Sequence, residues 1–252
     1  MNHPHLPKNS PEESEKSDST AFIEMRDLRK VYNNGQDNQV VALQGINLVI
    51  KSGEFVAIMG PSGSGKSTLM HIIGFLDRAT SGTYVFEGQD VTTLDDAKLA
   101  EIRNRRIGFV FQAFNLLSRT SALDNVKLPM LYSNSYAQTY TSEQMNTRAK
   151  ELLTQVGLGQ RLGHMPSELS GGQMQRVAIA RALANNPSVI FADEPTGNLD
   201  SKSTLEIMKV FHDLHEAGHT IIFVTHEETV AKEASRIIKI QDGEIISDQP
   251  NS

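Results

Sequence analysis

The 252-residue sequence contains no cysteine. That excludes disulfides and thiolate metal sites, and makes a reducing compartment its natural home. It also lacks an excess of positive charge. Lys and Arg number 24 against 30 Asp and Glu, a net charge of -6, which argues against a surface that wraps nucleic acid. No uninterrupted apolar stretch approaches the ~20 residues that cross a bilayer, so a membrane role would come through a partner. The opening MNHPHLPKNSPEESEKSDST is nearly free of large apolar residues. Such a composition buries too little surface to offset the entropy of ordering, so residues 1–20 are expected to be a disordered polar tail. They carry neither the apolar block of a secretion signal nor the acid-poor composition of a mitochondrial presequence. No internal repeat at solenoid spacing is present.

What remains is ordinary globular composition, 38% hydrophobic and 21% charged, enough for a core without staples. The folded domain is expected over 21–252. FIEMRDLRKVY and VVALQGINLVI mix apolar and polar residues as strands of a small antiparallel layer. Four later runs do not alternate: EFVAIMG (54–60), IGFVFQ (107–112), SVIFADE (188–194) and TIIFVTH (220–226). Apolar runs of that length fit strands covered on both faces of a parallel sheet. Helical stretches separate them, among them STLMHIIGFL, QMQRVAIARALA and TLEIMKVFHDLHEAG, so the order is α/β. Each run finishes on polar residues: a glycine loop, Gln112, the Asp193/Glu194 pair and His226. Open parallel sheets bind ligands beyond the carboxyl ends of their strands, so four such endings predict one site.

The glycine loop, GPSGSGKST at 60–68, matches G-x-x-x-x-G-K-[ST] between a strand and a helix, the context in which this pattern binds phosphate. Gly60, Gly63 and Gly65 let the backbone of Gly60, Pro61, Ser62, Gly63, Ser64, Gly65, Lys66, Ser67 and Thr68 turn its N–H groups toward phosphate oxygens. The following helix adds its positive dipole end. Lys66 is expected at the β- and γ-phosphates, and the Ser67 hydroxyl on magnesium. Asp193 is expected as the magnesium carboxylate, either binding the ion directly or acting through its bound water. Glu194 is placed to polarise a water attacking the γ-phosphate, as general base. The competing reading, a flexible turn and a pair of solvated acids, does not account for all of them together.

LSGGQ at 169–173 runs straight into a helix, with Ser170 and Gln173 spaced as a capping box. Capping alone does not explain adjacent glycines, which weaken helices. Ser170, Gly171, Gly172 and Gln173 would make a second anion cradle. Either two nucleotides bind per chain, or one cradle completes the site of another copy.

Together GPSGSGKST, LSGGQ, VIFADEPTGNLD and the Thr225–His226 pair resemble the motif set of ATP-binding-cassette (ABC) ATPases, over about residues 21 to 248. The resemblance implies a P-loop NTPase fold: a mostly parallel core sheet, an N-terminal antiparallel β layer and an inserted α-helical subdomain at roughly 113–170. It implies ATP and Mg²⁺ as cofactors and a homodimer that sandwiches two ATP, the LSGGQ of one copy pressing on the γ-phosphate held by the other. By matching position it implies that Tyr32 stacks on adenine. Gln112 would touch magnesium and sense the partner, Asp200 would lie in the loop that communicates across the dimer, and His226 would contact the γ-phosphate and orient Glu194. Met174 departs from the family pattern, where a polar residue is usual. The wording of 108–132 and 161–201 resembles the macrolide-export and lipoprotein-release branch, which implies an integral membrane permease partner, no nucleic acid, and a location on the inner face of the cytoplasmic membrane. Phe114, Leu116 and Leu117 are candidates either for gripping that partner or for the core. RIIKIQDGEIIS carries a hairpin signal at its Asp-Gly pair, and no regulatory domain is expected after it. The other cassette class, soluble ATPases acting on DNA or ribosomes, shares the motifs but carries long insertions or two fused cassettes.

Overall fold

A computed structural model describes residues 21–33, 39–135 and 140–251. The expected tail at 1–20 lies outside them. Six strands form the main sheet in the order β10-β9-β3-β8-β7-β6. They are β3 (Phe55–Met59), β6 (Ile107–Phe111), β7 (Val189–Asp193), β8 (Thr220–Thr225), β9 (Arg236–Gln241) and β10 (Glu244–Pro250). All neighbours pair in parallel except β10, which runs antiparallel to β9. The reason the four runs do not alternate is now visible. Phe55, Ala57 and Met59 enter one core while Val56 and Ile58 enter another, and Ile221/Phe223 against Ile222/Val224 divide the same way. A strand sandwiched between two cores needs apolar residues at both parities.

The second core is closed by a four-stranded antiparallel sheet, ordered β2-β1-β4-β5, and by α1 (Lys66–Ile73). Its strands are β1 (Ala21–Asn33), β2 (Gln39–Lys51), β4 (Ser81–Phe86) and β5 (Gln89–Asp90). The sequence reading foresees β1 and β2 but not β4, β5 or α2 (Asp96–Arg106). The first core is closed by α3 (Ala122–Ser133), α4 (Ser142–Gln155), α5 (Gly171–Ala182) and α6 (Ser201–Glu216). Helices α3 and α4 fall in the segment read as an inserted subdomain. Their buried residues Val126, Met130 and Leu152 belong to the same cluster as Phe55, Ile179 and Phe211 of the sheet and its helices. A short helix, α7 (Glu228–Ala231), follows β8. The Asp-Gly hairpin forms as expected, with Asp242 at φ 49° and Gly243 at φ 80°, the two left-handed positions of a tight hairpin turn. Among the described residues no helix is long and apolar enough to cross a membrane.

Candidate nucleotide site

Register brings the four strand endings together. Met59 pairs with Thr225, Asp193 with Val224, and Phe111 with Asp193. Gly60, His226, Glu194 and Gln112 therefore follow one another along a single sheet edge.

The loop at 60–68 owes its shape to its glycines. Gly65 caps α1 at φ 102°, and a Cβ there would lie 2.6 Å from the Ala42 carbonyl oxygen. A Cβ on Gly60 would lie 2.1 Å from the Ile240 carbonyl oxygen. Only bare backbone fits between β2 and the β9–β10 hairpin. Lys66 is buried, and its ammonium donates to the Pro61 carbonyl at 2.7 Å. Burial lowers its pKa, while Glu194 and Asp193 act in the opposite direction. Ser67 is exposed on the first turn of α1.

Burial raises the pKa of Asp193, Glu194 pushes it further up, and His71 and Lys66 oppose them. Glu194 stands at φ 45°, and its Oε1 is 2.9 Å from Nδ1 of His226. Gln112 is bracketed by Asn198, whose Nδ2 donates to the Gln112 carbonyl at 3.0 Å. The Tyr32 hydroxyl donates to Asp77 at 2.7 Å and also meets Thr68 of the phosphate loop. Lys30 Nζ covers one face of the Tyr32 ring at 4.6 Å from its centroid. Sequence reasoning missed Asp77, which has no motif. It also passed over Asn198, although that residue stands in the quoted GNLD.

The second cradle is built as a helix cap. Ser170 Oγ accepts from the Gln173 N–H, and Gln173 Oε1 accepts from the Ser170 N–H at 3.0 Å. Gly172 has a local reason for lacking a side chain: a Cβ would meet Ser203 Oγ of α6 at 3.0 Å. Asp200 caps α6, accepting from the Ser203 N–H at 2.9 Å, and these bonds hold its carboxyl below the usual range. Ser170, Gly172 and Gln173 line a cleft with Arg161, Arg176 and Glu206, and no residue of the 60–68 loop shares it. Met174 is half-buried and packs on the core. Of the apolar candidates, Phe114 is half-buried, Leu116 packs partly buried on the core, and Leu117 is 50% exposed.

A lysine-bearing glycine loop before a helix, at a parallel sheet edge with an acid pair beside it, defines a P-loop nucleoside triphosphatase. The profile described as ABC transporter matches residues 43–197. The chain belongs to the ABC transporter family, as an ATP-binding, ATP-hydrolysing cassette. It is 53% identical over 223 residues to an uncharacterized ABC transporter ATP-binding protein of Thermotoga maritima, covering 88% of this chain and 93% of that one. It is 52% identical over 231 residues to the macrolide export ATP-binding/permease protein MacB of Escherichia coli K12, covering 92% of this chain and 35% of MacB. The chain thus spans about a third of the length of its MacB relatives. The dimeric post-hydrolysis structure of the ATP-binding cassette MJ0796, bound to ADP and Pi, matches with TM-score 0.82 and 45% identity, over 91% of this chain and 99% of that one.

Proposed function

We propose that this chain is the energy-supplying subunit of a bacterial ABC transporter. It closes as a homodimer over two ATP and drives a membrane permease that exports or extracts a drug, peptide or lipoprotein. The observation that carries the reading is that the Ser170 tip lines a cleft to which no residue of the 60–68 loop contributes. On this reading a second copy brings the two cradles together across a nucleotide; the dimeric state of the cassette MJ0796, bound to ADP and Pi, supports the dimer.

Within that site Lys66 and the loop N–H groups bind the β- and γ-phosphates, and the open face of Tyr32 stacks on adenine. Ser67, Gln112 and Asp193 offer a hydroxyl, an amide and a carboxylate, a hard-oxygen set that suits Mg²⁺ alongside nucleotide phosphates. When bound, the ion neutralises charge on the β- and γ-oxygens. Glu194 takes a proton from the attacking water as the bond from the γ-phosphorus to the bridging oxygen breaks, releasing ADP and phosphate. His226, bonded to Glu194 Oε1, holds the carboxylate in line. Ser170, Gly171, Gly172 and Gln173 of the partner copy close on the γ-phosphate, with Asp200 beside them at the dimer seam.

The permease would sit on the groove between α2, β6 and α3, a cleft of about 550 Å³ walled by Leu76, Phe109, Phe111 and Tyr132 and edged by Arg103 and Arg181. Tyr132 is 67% exposed there, and a mainly apolar groove whose lining includes two guanidinium groups suits an amphipathic partner helix. With that contact the chain would lie at the inner face of the cytoplasmic membrane. The test is Glu194→Gln in ATP and Mg²⁺: a stable dimer on sizing chromatography that turns over only slowly, and a membrane protein co-purifying in mild detergent. A monomer under those conditions, or nucleic acid as the co-purifying species, would overturn the reading.

A further inference from the structure

Gln175 lies just over one turn into α5 and is fully buried. Its Nε2 donates to the carbonyl of Pro195 at 2.7 Å, while its Oε1 has no protein partner among the described residues. A buried amide with one end unpaired is a poor choice for stability, since methionine fills similar space without a polar atom to desolvate. What Gln175 does hold is the turn after β7. Glu194 stands at φ 45°, a left-handed conformation that non-glycine residues adopt only when their surroundings enforce it. Its N–H donates to the Val224 carbonyl at 3.0 Å, and its own carbonyl accepts from the Gly197 N–H at 3.1 Å. Pro195 has no N–H, so its carbonyl is the one backbone polar group left to anchor it, and Gln175 takes it.

We propose that Gln175 is a positioning residue for Glu194: by gripping the Pro195 carbonyl it fixes the left-handed turn that aims the Glu194 carboxylate. Because α5 begins at the Ser170 cradle, the same bond ties that aim to where the helix tip rests. The inference rests on Glu194 being the general base.

The experiment measures ATP turnover and ATP affinity in Gln175→Met and Gln175→Glu, each made alone and together with Glu194→Gln. Methionine removes the donor. Glutamate keeps the shape but presents only acceptors to the carbonyl. Thermal melts identify which variants fold, and either variant suffices. Misaiming a catalytic group by about 1 Å costs up to about a hundredfold, so kcat is expected to fall about ten- to a hundredfold with ATP affinity unchanged. In the Glu194→Gln background the same substitution should change residual turnover less than about twofold, because residues that act through one another are non-additive. The ATP-bound Glu194→Gln dimer should persist. An unchanged kcat, an equal fold-loss in both backgrounds, or loss of ATP affinity or of the dimer would overturn the positioning role. Wild-type turnover by Glu194→Gln alone would instead remove Glu194 as base.

Discussion

His226 Nδ1 sits 2.9 Å from Glu194 Oε1, although the two residues arrive on different strands. The pair exists because β7 and β8 are adjacent and in register. His226→Ala is expected to keep ATP binding and to lower kcat by about ten- to a hundredfold, since on the proposed mechanism it leaves the base in place without its orienting partner. Steady-state turnover together with calorimetry checks this; a fall in affinity with kcat intact would assign His226 to binding instead.

Lys66 is the cation of the phosphate loop, and its ammonium is already held at the loop's mouth by the Pro61 carbonyl. Lys66→Ala should weaken ATP binding by at least about tenfold, measured by calorimetry on the isolated chain. Equal affinity would mean that the backbone N–H groups alone carry the phosphates.

Tyr32→Ala should cost roughly tenfold in ATP affinity, the scale of one lost base–aromatic stack, whereas Tyr32→Phe should stay within about twofold. If both substitutions weaken binding equally, the hydroxyl and its bond to Asp77 matter more than the ring.

Asp77 accepts from Lys30 and Tyr32 and from the Arg78 N–H. Burial would raise its pKa, but these bonds hold the carboxyl below its ordinary 3.8. A carboxyl depressed on folding stabilises the fold above its unfolded pKa and ceases to as the pH falls through the folded one. Asp77→Asn should therefore destabilise by about 1 kcal/mol at neutral pH. The gap between wild type and variant in urea unfolding should shrink as the pH falls below 3.8. A gap independent of pH would show that the charge contributes nothing.

How legible the molecule is from its sequence depends on what each element buries. The site strands stand out because both faces of each enter a core, leaving apolar runs with polar tips. The hairpin at Asp242–Gly243 stands out because two left-handed residues demand that pair. Strand β4 does not stand out, because only Tyr84 and Phe86 are buried in it. Neither does α2, where Leu99 is its one buried residue and leaves no helical period to read. Gln175 looks like one more polar residue in QMQR, and nothing local announces that it faces a carbonyl twenty positions away. Gly172 is the reverse case: its glycine invites a ligand reading, yet Ser203 of the same chain already presses on it.

The phosphate loop is held from behind by the β9–β10 hairpin: the Gly243 N–H donates to the Ser64 carbonyl at 3.0 Å, and the Ile240 carbonyl fills the space beside Gly60. Translation delivers residues 60–68 long before residues 240–243. A nascent chain stalled between them carries the whole nucleotide motif without its backstop. The loop can therefore take up its backed conformation only after residues 240–243 have been made, so the nucleotide motif, though early in the chain, is among the last parts to be completed.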